Sequence, residues 1–460
     1  MSLLAPELSL VAHAEPVRVV GRVSSLRGMT VLAEDLPLPV GSLVRIGAAS
    51  AAQPLLAEVV GFVGDRCSLM PLGQTAGVRP GQPVEGLQTH QTAPVSRRLL
   101  GRVIDGLGRP IDAGGVVTEV EPRALDPDPV SPLDRARITS QLHTGIRAMD
   151  LMTPVGKGQR LGIFSGPGVG KSTLLGQIAR STDADVNVIA LIGERGREVR
   201  EFVEESLGPE GLRRSVVVVA TGDDSPSLRV RAAKLACTVG EYFRELGRDV
   251  LLMMDSVTRF AHAQRQIGLS VGEPPASKGY TPSVFAELAR LLERAGNLGE
   301  SARGRAGSVT GLYTILVEGD ELNEPVSDAA RGILDGHVVL SRKLAQHGHY
   351  PAIDVLDSIS RVASDIAEPG HLAARTQAVR LLAAYREVEE LVQIGAYARG
   401  SDPVADTAIE QRGAINELLQ QSAGERSDFA EARSRLITIA TNAGESIRAR
   451  TRHEPAGESR

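Results

Sequence analysis

The sequence predicts an α/β core held between an amino-terminal all-β unit and a carboxy-terminal helical unit. Three observations predict it. Short β-segments split by Gly and Pro fill about residues 17–88, strand-like apolar runs alternate with helical patterning from Gln159 to Asp255, and the pattern turns helical beyond about Val362.

At 460 residues the chain exceeds one hydrophobic core and calls for two or three domains. In the amino-terminal unit the segments are Val17–Val23, Thr30–Leu32, Leu43–Ile46, Leu55–Phe62 and Cys67–Met70. They are separated by turns such as Leu36-Pro37-Leu38-Pro39 and Val78-Arg79-Pro80-Gly81, the signature of a small barrel or sandwich. Arg123 to Pro132 reads as a loop or connector. Gln159–Phe164, Val186–Ile192, Ser215–Ala220 and Val250–Asp255 are rich in Val, Ile and Leu, as expected of strands buried on both faces of a parallel sheet. Between the last two, Leu228, Ala232, Leu235, Val239, Tyr242 and Leu246 form one apolar helix face. The carboxy-terminal unit predicts helices over His371–Ala398, Asp402–Gln421 and Phe429–Arg450, punctuated by Gly395, Gly400 and Pro403.

Composition narrows the function classes. With 42% hydrophobic and 23% charged residues the chain is an ordinary globular one. Its 51 basic and 56 acidic residues leave −5, which is no electrostatic footprint for nucleic acid or an anionic membrane surface. Seven Phe, six Tyr and no Trp leave little for stacking a single strand. Cys67 and Cys237 are far apart and match reduced cysteines rather than a disulfide or metal site. Met1 to Pro16 lacks the positive region and long apolar run of a signal peptide, and no stretch is apolar enough to span a bilayer. The expected location is the cytoplasm, with any membrane association made through partners.

The first chemical motif is Ser165-Gly166-Pro167-Gly168-Val169-Gly170-Lys171-Ser172-Thr173, placed between an apolar strand and a helix. Its glycines let backbone N–H groups curl around phosphate oxygens, and the helix presents its positive end. The pattern predicts ATP binding, with Lys171 on the β- and γ-phosphates and the Ser172 hydroxyl on Mg²⁺. Ser165 stands where the usual pattern has its first Gly, and Pro167 has no N–H to donate.

Asp255 ends the run Val250–Asp255, where a carboxylate can hold Mg²⁺ through water. Alone, an Asp there is more often a cap, but the upstream loop favours the metal role. Gly193-Glu194-Arg195-Gly196-Arg197-Glu198 follows the strand Val186–Ile192, at the sheet edge where α/β ligands bind. Glu194 could polarise water and Arg195 could hold the γ-phosphate; a solvated charged turn explains the pattern equally well. His349 to Arg361 reads as a turn followed by a loop, with Arg361 a surface residue.

Together these segments resemble the hexameric ATPase family that includes the α and β subunits of ATP synthase. The resemblance covers about residues 20 to 440. It rests on SGPGVGKST, GERGREV, LLMMDSVTRFA, GYTPSVFAELARLLERAG, NEPVSDAARGILDGH and GHYPAIDVLDSISR. It implies a β-barrel over residues 1–92, a RecA-like P-loop ATPase domain over 93–365 and a helical domain over 366–460. It also implies that Glu194 activates water, that Arg195 and Arg259 contact phosphate, and that Asp255 serves the Mg²⁺ site. Tyr350 resembles an aromatic that stacks on adenine. Arg361 resembles an arginine finger entering the neighbouring subunit's site.

Within the family, VNVIALIGERGREVREF, VLLMMDSVTRFAHAQRQIGL and EELVQIGAYARGSDP resemble the flagellum-specific ATPases of type III protein export, to which the injectisome ATPases are very similar. Non-catalytic α-type subunits have a Gln-type residue at the Glu194 position. The acidic loop of β-type subunits is replaced here by Ala396 to Asp406, which is not an acidic run. One chain carrying both the catalytic glutamate and the finger suits a homohexamer. The resemblance further implies a stator-like regulatory protein, a central coiled-coil stalk protein, export-gate membrane proteins at the inner membrane and substrate–chaperone complexes as partners. A proton ATP synthase subunit and an RNA translocase are the competing expectations. The missing acidic loop counts against the first, and charge and aromatic poverty against the second.

Overall fold

A computed structural model describes residues 18–47, 54–299, 307–317 and 324–452 of the chain. Met1–Pro16, expected to carry no signal peptide, lies outside the described residues, as does Val17.

Six strands close the amino-terminal barrel: β1 (Val20–Arg27), β2 (Thr30–Glu34), β3 (Leu43–Ile46), β4 (Leu55–Val63), β5 (Arg66–Pro71) and β6 (Pro83–Gln88), in the order β1-β2-β5-β4-β3-β6. Every neighbouring pair is antiparallel, and closure leaves no open edge. Val23, Val31, Val44, Val59, Leu69 and Val84 fill the interior. The expected connector at Arg123–Pro132 is partly strand. β7 (Thr92–Val95) pairs with β9 (Glu121–Ala124), which draws Arg123 and Ala124 into a two-stranded ribbon.

Between them β8 (Arg102–Asp105) forms the edge of the central sheet, a strand the sequence reading did not single out. A short ribbon, β10 (Gln141–Leu142) and β11 (Val155–Gly156), precedes β12 (Arg160–Ser165). The remaining strands are β13 (Val186–Ile192), β14 (Ser215–Ala220), β15 (Asp249–Asp255), β16 (Gly296–Asn297), β17 (Ser308–Leu316), β18 (Gly336–Leu340) and β19 (Ile353–Ser360). The sheet order is β19-β18-β12-β17-β15-β13-β14-β8, with β16 paired to β17. All members from β18 to β8 along this path run parallel; β19 is antiparallel to β18.

Both faces of this sheet are covered, which explains the continuous apolar runs. Phe164, Val188, Ala190 and Ile192 pack on one face with the helices Pro226–Glu245, Val257–Ser270, Pro282–Leu292 and Pro325–Ile333. Leu161, Ile163, Ile189 and Leu191 point the other way, toward the helix Lys171–Ser181 and the carboxy-terminal helices. Those last are Pro369–Gln393, Pro403–Leu419 and Phe429–Arg452. The first stops short of the expected Ala398: Gly395 adopts φ 73°, a left-handed conformation that ends the helix. The second begins at its cap, where the Asp402 carboxylate accepts from the N–H groups of Val404 and Ala405.

The expected loop after Tyr350 is instead the edge strand β19. Its polar residues hid it, and each has a partner in the strand geometry. Asp354 binds Arg386 at 2.6 Å, while the Ser358 hydroxyl donates to the Asp354 carbonyl at 2.6 Å and accepts from the Val339 N–H at 3.0 Å.

Candidate active site

Parallel strands deliver their last residues to one edge of the sheet, and four of them build this site. β12 ends at Ser165, β13 runs into Gly193–Arg195, β15 ends at Asp255 and β17 carries Thr314 near its end. Loop 166–170 then turns into the helix that starts at Lys171. Gly168 and Gly170 take φ 76° and 91°, a conformation that side chains resist.

The Lys171 ammonium lies 2.5 Å from Asp255 Oδ1 and 3.8 Å from Glu194 Oε1. The Asp255 side chain is only 5% exposed, and Thr314 Oγ1 donates to the same Oδ1 at 2.7 Å. The β17 end is further pinned where the Leu316 N–H donates to Thr258 Oγ1 at 2.9 Å. Ser256 caps the helix after β15, its hydroxyl accepting from the Arg259 N–H.

The turn bearing Glu194 is fixed to the end of β14. Gly193 N–H donates to the Ala220 carbonyl at 2.6 Å, and the Glu194 carbonyl accepts from Gly222 N–H at 3.0 Å. Gly193 sits at φ 75°, and a Cβ there would come within 2.8 Å of the Arg259 Cβ. Glycine therefore lets Arg259 fold over the turn. The Glu194 carboxyl is pushed up to about 7, first by burial and then by the negative charge of Asp255, with Lys171 opposing. That places it where a proton acceptor works near neutral pH.

The arginines are disposed differently. Arg195 is 85% exposed and touches Glu198 at 3.3 Å on the rim, and Arg259 is exposed. Arg361 is exposed as well, and it lies at the opposite edge of the sheet. Because β19 is antiparallel, Ser360 pairs with Gly336 at the start of β18, and the Arg361 N–H donates to the Asp335 carbonyl. Asp335 N–H in turn donates to the carbonyl of Arg160, the first residue of β12. Ser165 is at the other end of that strand, roughly 17 Å away at the usual rise of a strand. The structure thus gathers Lys171, Glu194 and Asp255 at the loop, sets Arg259 over the neighbouring Gly193 turn, and leaves Arg361 outside.

Tyr350 does reach the loop. The residue is 46% exposed, and a Cβ at Gly170 would sit 3.5 Å from its Cε1. The ring borders a cavity of about 470 Å³ lined also by Arg147, Glu417, Gln420, Gln421 and Glu425.

Ser172 and Thr173 are exposed in the first helical turn. Ser165 is fully buried, and its hydroxyl has no hydrogen-bond partner among the described residues. No group of three or more His, Cys, Asp or Glu that could hold a metal occurs among the described residues. A lone hydroxyl, Ser172, and a lone carboxylate, Asp255, fit Mg²⁺, which keeps several waters and takes substrate phosphate oxygens for the rest. The sequence reading missed Thr314, Thr258 and Gln421. The first sits in a strand it had not singled out, while the other two carry no pattern of their own.

Three family models match successive parts of the chain. "ATP synthase alpha/beta family, beta-barrel domain" matches residues 17–88, "ATP synthase alpha/beta family, nucleotide-binding domain" matches 145–360, and "T3SS EscN ATPase C-terminal domain" matches 367–438. A flagellum-specific ATP synthase of Treponema pallidum is 51% identical over 91% of this chain and 92% of its own length. One from Pseudomonas aeruginosa is 47% identical over 93% and 94%, and a type 3 secretion system ATPase of Xanthomonas euvesicatoria is 48% identical over 92% and 94%. The assembled ATPase EscN of enteropathogenic E. coli superposes with a TM-score of 0.83 at 41% identity, covering 91% of this chain and 100% of that one. The same values hold for EscN in complex with its central stalk EscO.

Proposed function

The chain belongs to the ATP synthase alpha/beta family and is an ATPase of type III protein export, and we propose that it powers the flagellar branch as a homohexamer hydrolysing MgATP. The observation that carries the chemistry is the Lys171 ammonium held between Asp255 and Glu194 at the mouth of a glycine-rich loop.

In this reading Lys171 and the backbone of residues 165–173 hold the phosphates. Ser172, and Asp255 through water, would hold Mg²⁺, which would supply positive charge to the phosphates. Glu194 accepts a proton from the attacking water, Arg195 and Arg259 contact phosphate, and Tyr350 stacks on the adenine. Arg361 serves the neighbouring copy's site, since its own lies at the far end of β12. That arrangement supports an oligomer, as does the assembled EscN. The EscN–EscO complex supports a central stalk protein as partner. A stator-like regulator, export-gate proteins and substrate–chaperone complexes complete the proposed set. No helix among the described residues is long and apolar enough to cross a membrane. A cytoplasmic motor recruited to the inner membrane by its partners accords with this.

Lys171→Ala tests the chemistry. ATP hydrolysis should fall to background, and near-normal turnover would remove the loop from the mechanism. The EscN carboxy-terminal profile and the Xanthomonas relative favour a second reading, an injectisome motor. Deleting the gene separates the two: loss of filaments supports the flagellar branch, and loss of effector secretion with intact filaments supports the injectisome.

A further inference from the structure

Segment 420–426 joins two helices of the carboxy-terminal domain, yet most of its hydrogen bonds run to the ATPase core. Gln177 Nε2, on the helix that follows the glycine loop, donates to the Ser422 carbonyl at 3.1 Å. The Arg180 guanidinium donates to the Ala423 carbonyl at 2.9 Å, and the Arg147 Nε donates to the Leu418 carbonyl at 2.8 Å. Gln421 is the centre of this contact. It is buried at 4% exposure, and its amide is fully committed. Oε1 accepts from the Arg147 N–H at 2.9 Å, while Nε2 donates to the Gly145 carbonyl at 2.9 Å and to the Glu425 carbonyl at 3.0 Å. Its backbone N–H donates to the Tyr350 carbonyl at 2.9 Å.

Four bonds from one residue therefore join the 145–147 turn, segment 420–426 and the residue whose ring rests against Gly170. Tyr350 is half exposed, and the bond from the Gln421 N–H holds its carbonyl in place. We infer that Gln421 is a positioning residue for the nucleoside end of the nucleotide: it fixes Tyr350 beside the loop and shapes the cavity they share. It acts through Tyr350 and touches no phosphate. The inference rests on reading Tyr350 as the aromatic that stacks on the base.

A ligand pair with and without the nucleoside tests it on the full chain at one protein concentration. MgADP carries the base, and magnesium pyrophosphate presents only the phosphates. In Gln421→Leu the three side-chain bonds are lost at similar bulk, and the MgADP dissociation constant should rise about tenfold, the order expected for losing ordered polar contacts. Pyrophosphate affinity should stay within about twofold, which also reports an intact loop. Gln421→Glu keeps the acceptor for Arg147 but cannot donate, and should show the same selective loss. Equal weakening of both ligands, or no change in either, would overturn the inference. Tyr350→Ala separates this failure from failure of the stacking reading. If Tyr350→Ala weakens MgADP selectively and Gln421→Leu does not, the positioning role alone is wrong. If Tyr350→Ala leaves both ligands unchanged, the stacking reading falls and takes the positioning role with it.

Discussion

The two edges of the central sheet are built to different rules. At the carboxyl edge, charged groups are buried and mutually satisfied: Lys171 on Asp255, Thr314 on Asp255, and Glu194 close by. At the amino edge, Arg361 stands in solvent with one long contact of 3.4 Å from its guanidinium to the Arg331 carbonyl. Strand ends can fix short side chains against one another before any ligand arrives, which is the preorganisation that electrostatic catalysis needs. A long side chain on an edge strand has no such support from its own chain. The contrast shows buried groups that are satisfied within a single copy and an arginine that is not, which on the proposed reading would find its surroundings in an assembly.

The widest way to break that contrast is Arg361→Ala. If the guanidinium completes a neighbour's site, turnover should drop by roughly 10³ to 10⁵, the range of arginine fingers in GTPases, with nucleotide binding by isolated chains unchanged. Turnover equal to that of the unmodified chain and independent of protein concentration would return Arg361 to the status of an ordinary surface residue. Glu194→Gln probes the buried half. Turnover should fall roughly 10²- to 10⁴-fold while ATP still binds. Loss of binding instead would mean that the carboxylate only holds the turn.

The raised Glu194 carboxyl adds a pH signature to the same comparison. It must be ionised to accept a proton, so kcat/KM should rise with pH through about 7 and fall below it. Glu194→Gln should abolish that limb, whereas Arg361→Ala should lower the curve without moving it. A limb that survives in Glu194→Gln would assign it to another group. Thr314→Val is the gentlest change. It removes one hydrogen bond to the Asp255 carboxylate at nearly constant volume and should cost about tenfold in turnover. An unaltered response of hydrolysis to Mg²⁺ concentration in that variant would separate Asp255 orientation from metal affinity.

How far the sequence could be read follows the same division. Four of the parallel strands were legible because burial on both faces demands unbroken runs such as Val186–Ile192, and the loop was legible because its glycines are needed for backbone geometry. β17 escaped notice although its first eight residues are buried, since Gly311, Thr310 and Thr314 dilute its apolar pattern. β19 escaped because Asp354, Asp357 and Ser358 mimic a loop, while their partners Arg386 and Val339 lie elsewhere in the chain. The roles of Arg361 and Tyr350 came only from resemblance. Nothing local marks an arginine as serving another copy, and nothing local announces that Tyr350 will meet Gly170. Gln421 was invisible for a related reason: its partners Gly145, Arg147 and Tyr350 are remote in sequence.

The antiparallel turn of β19 carries a consequence for counting. It sets the guanidinium and the loop on opposite sides of one chain, so copies joined through them meet head to tail, with unlike surfaces in contact. Such a joint does not stop by itself at two members. It closes into a ring only when the wedge angle between its two faces divides the circle evenly, and otherwise it winds on as a filament. On the hexamer reading, the number of motors per ring is therefore set by the shape of the wedge, and a substitution that opened or narrowed it would change how many copies complete the circle while leaving every individual pocket intact.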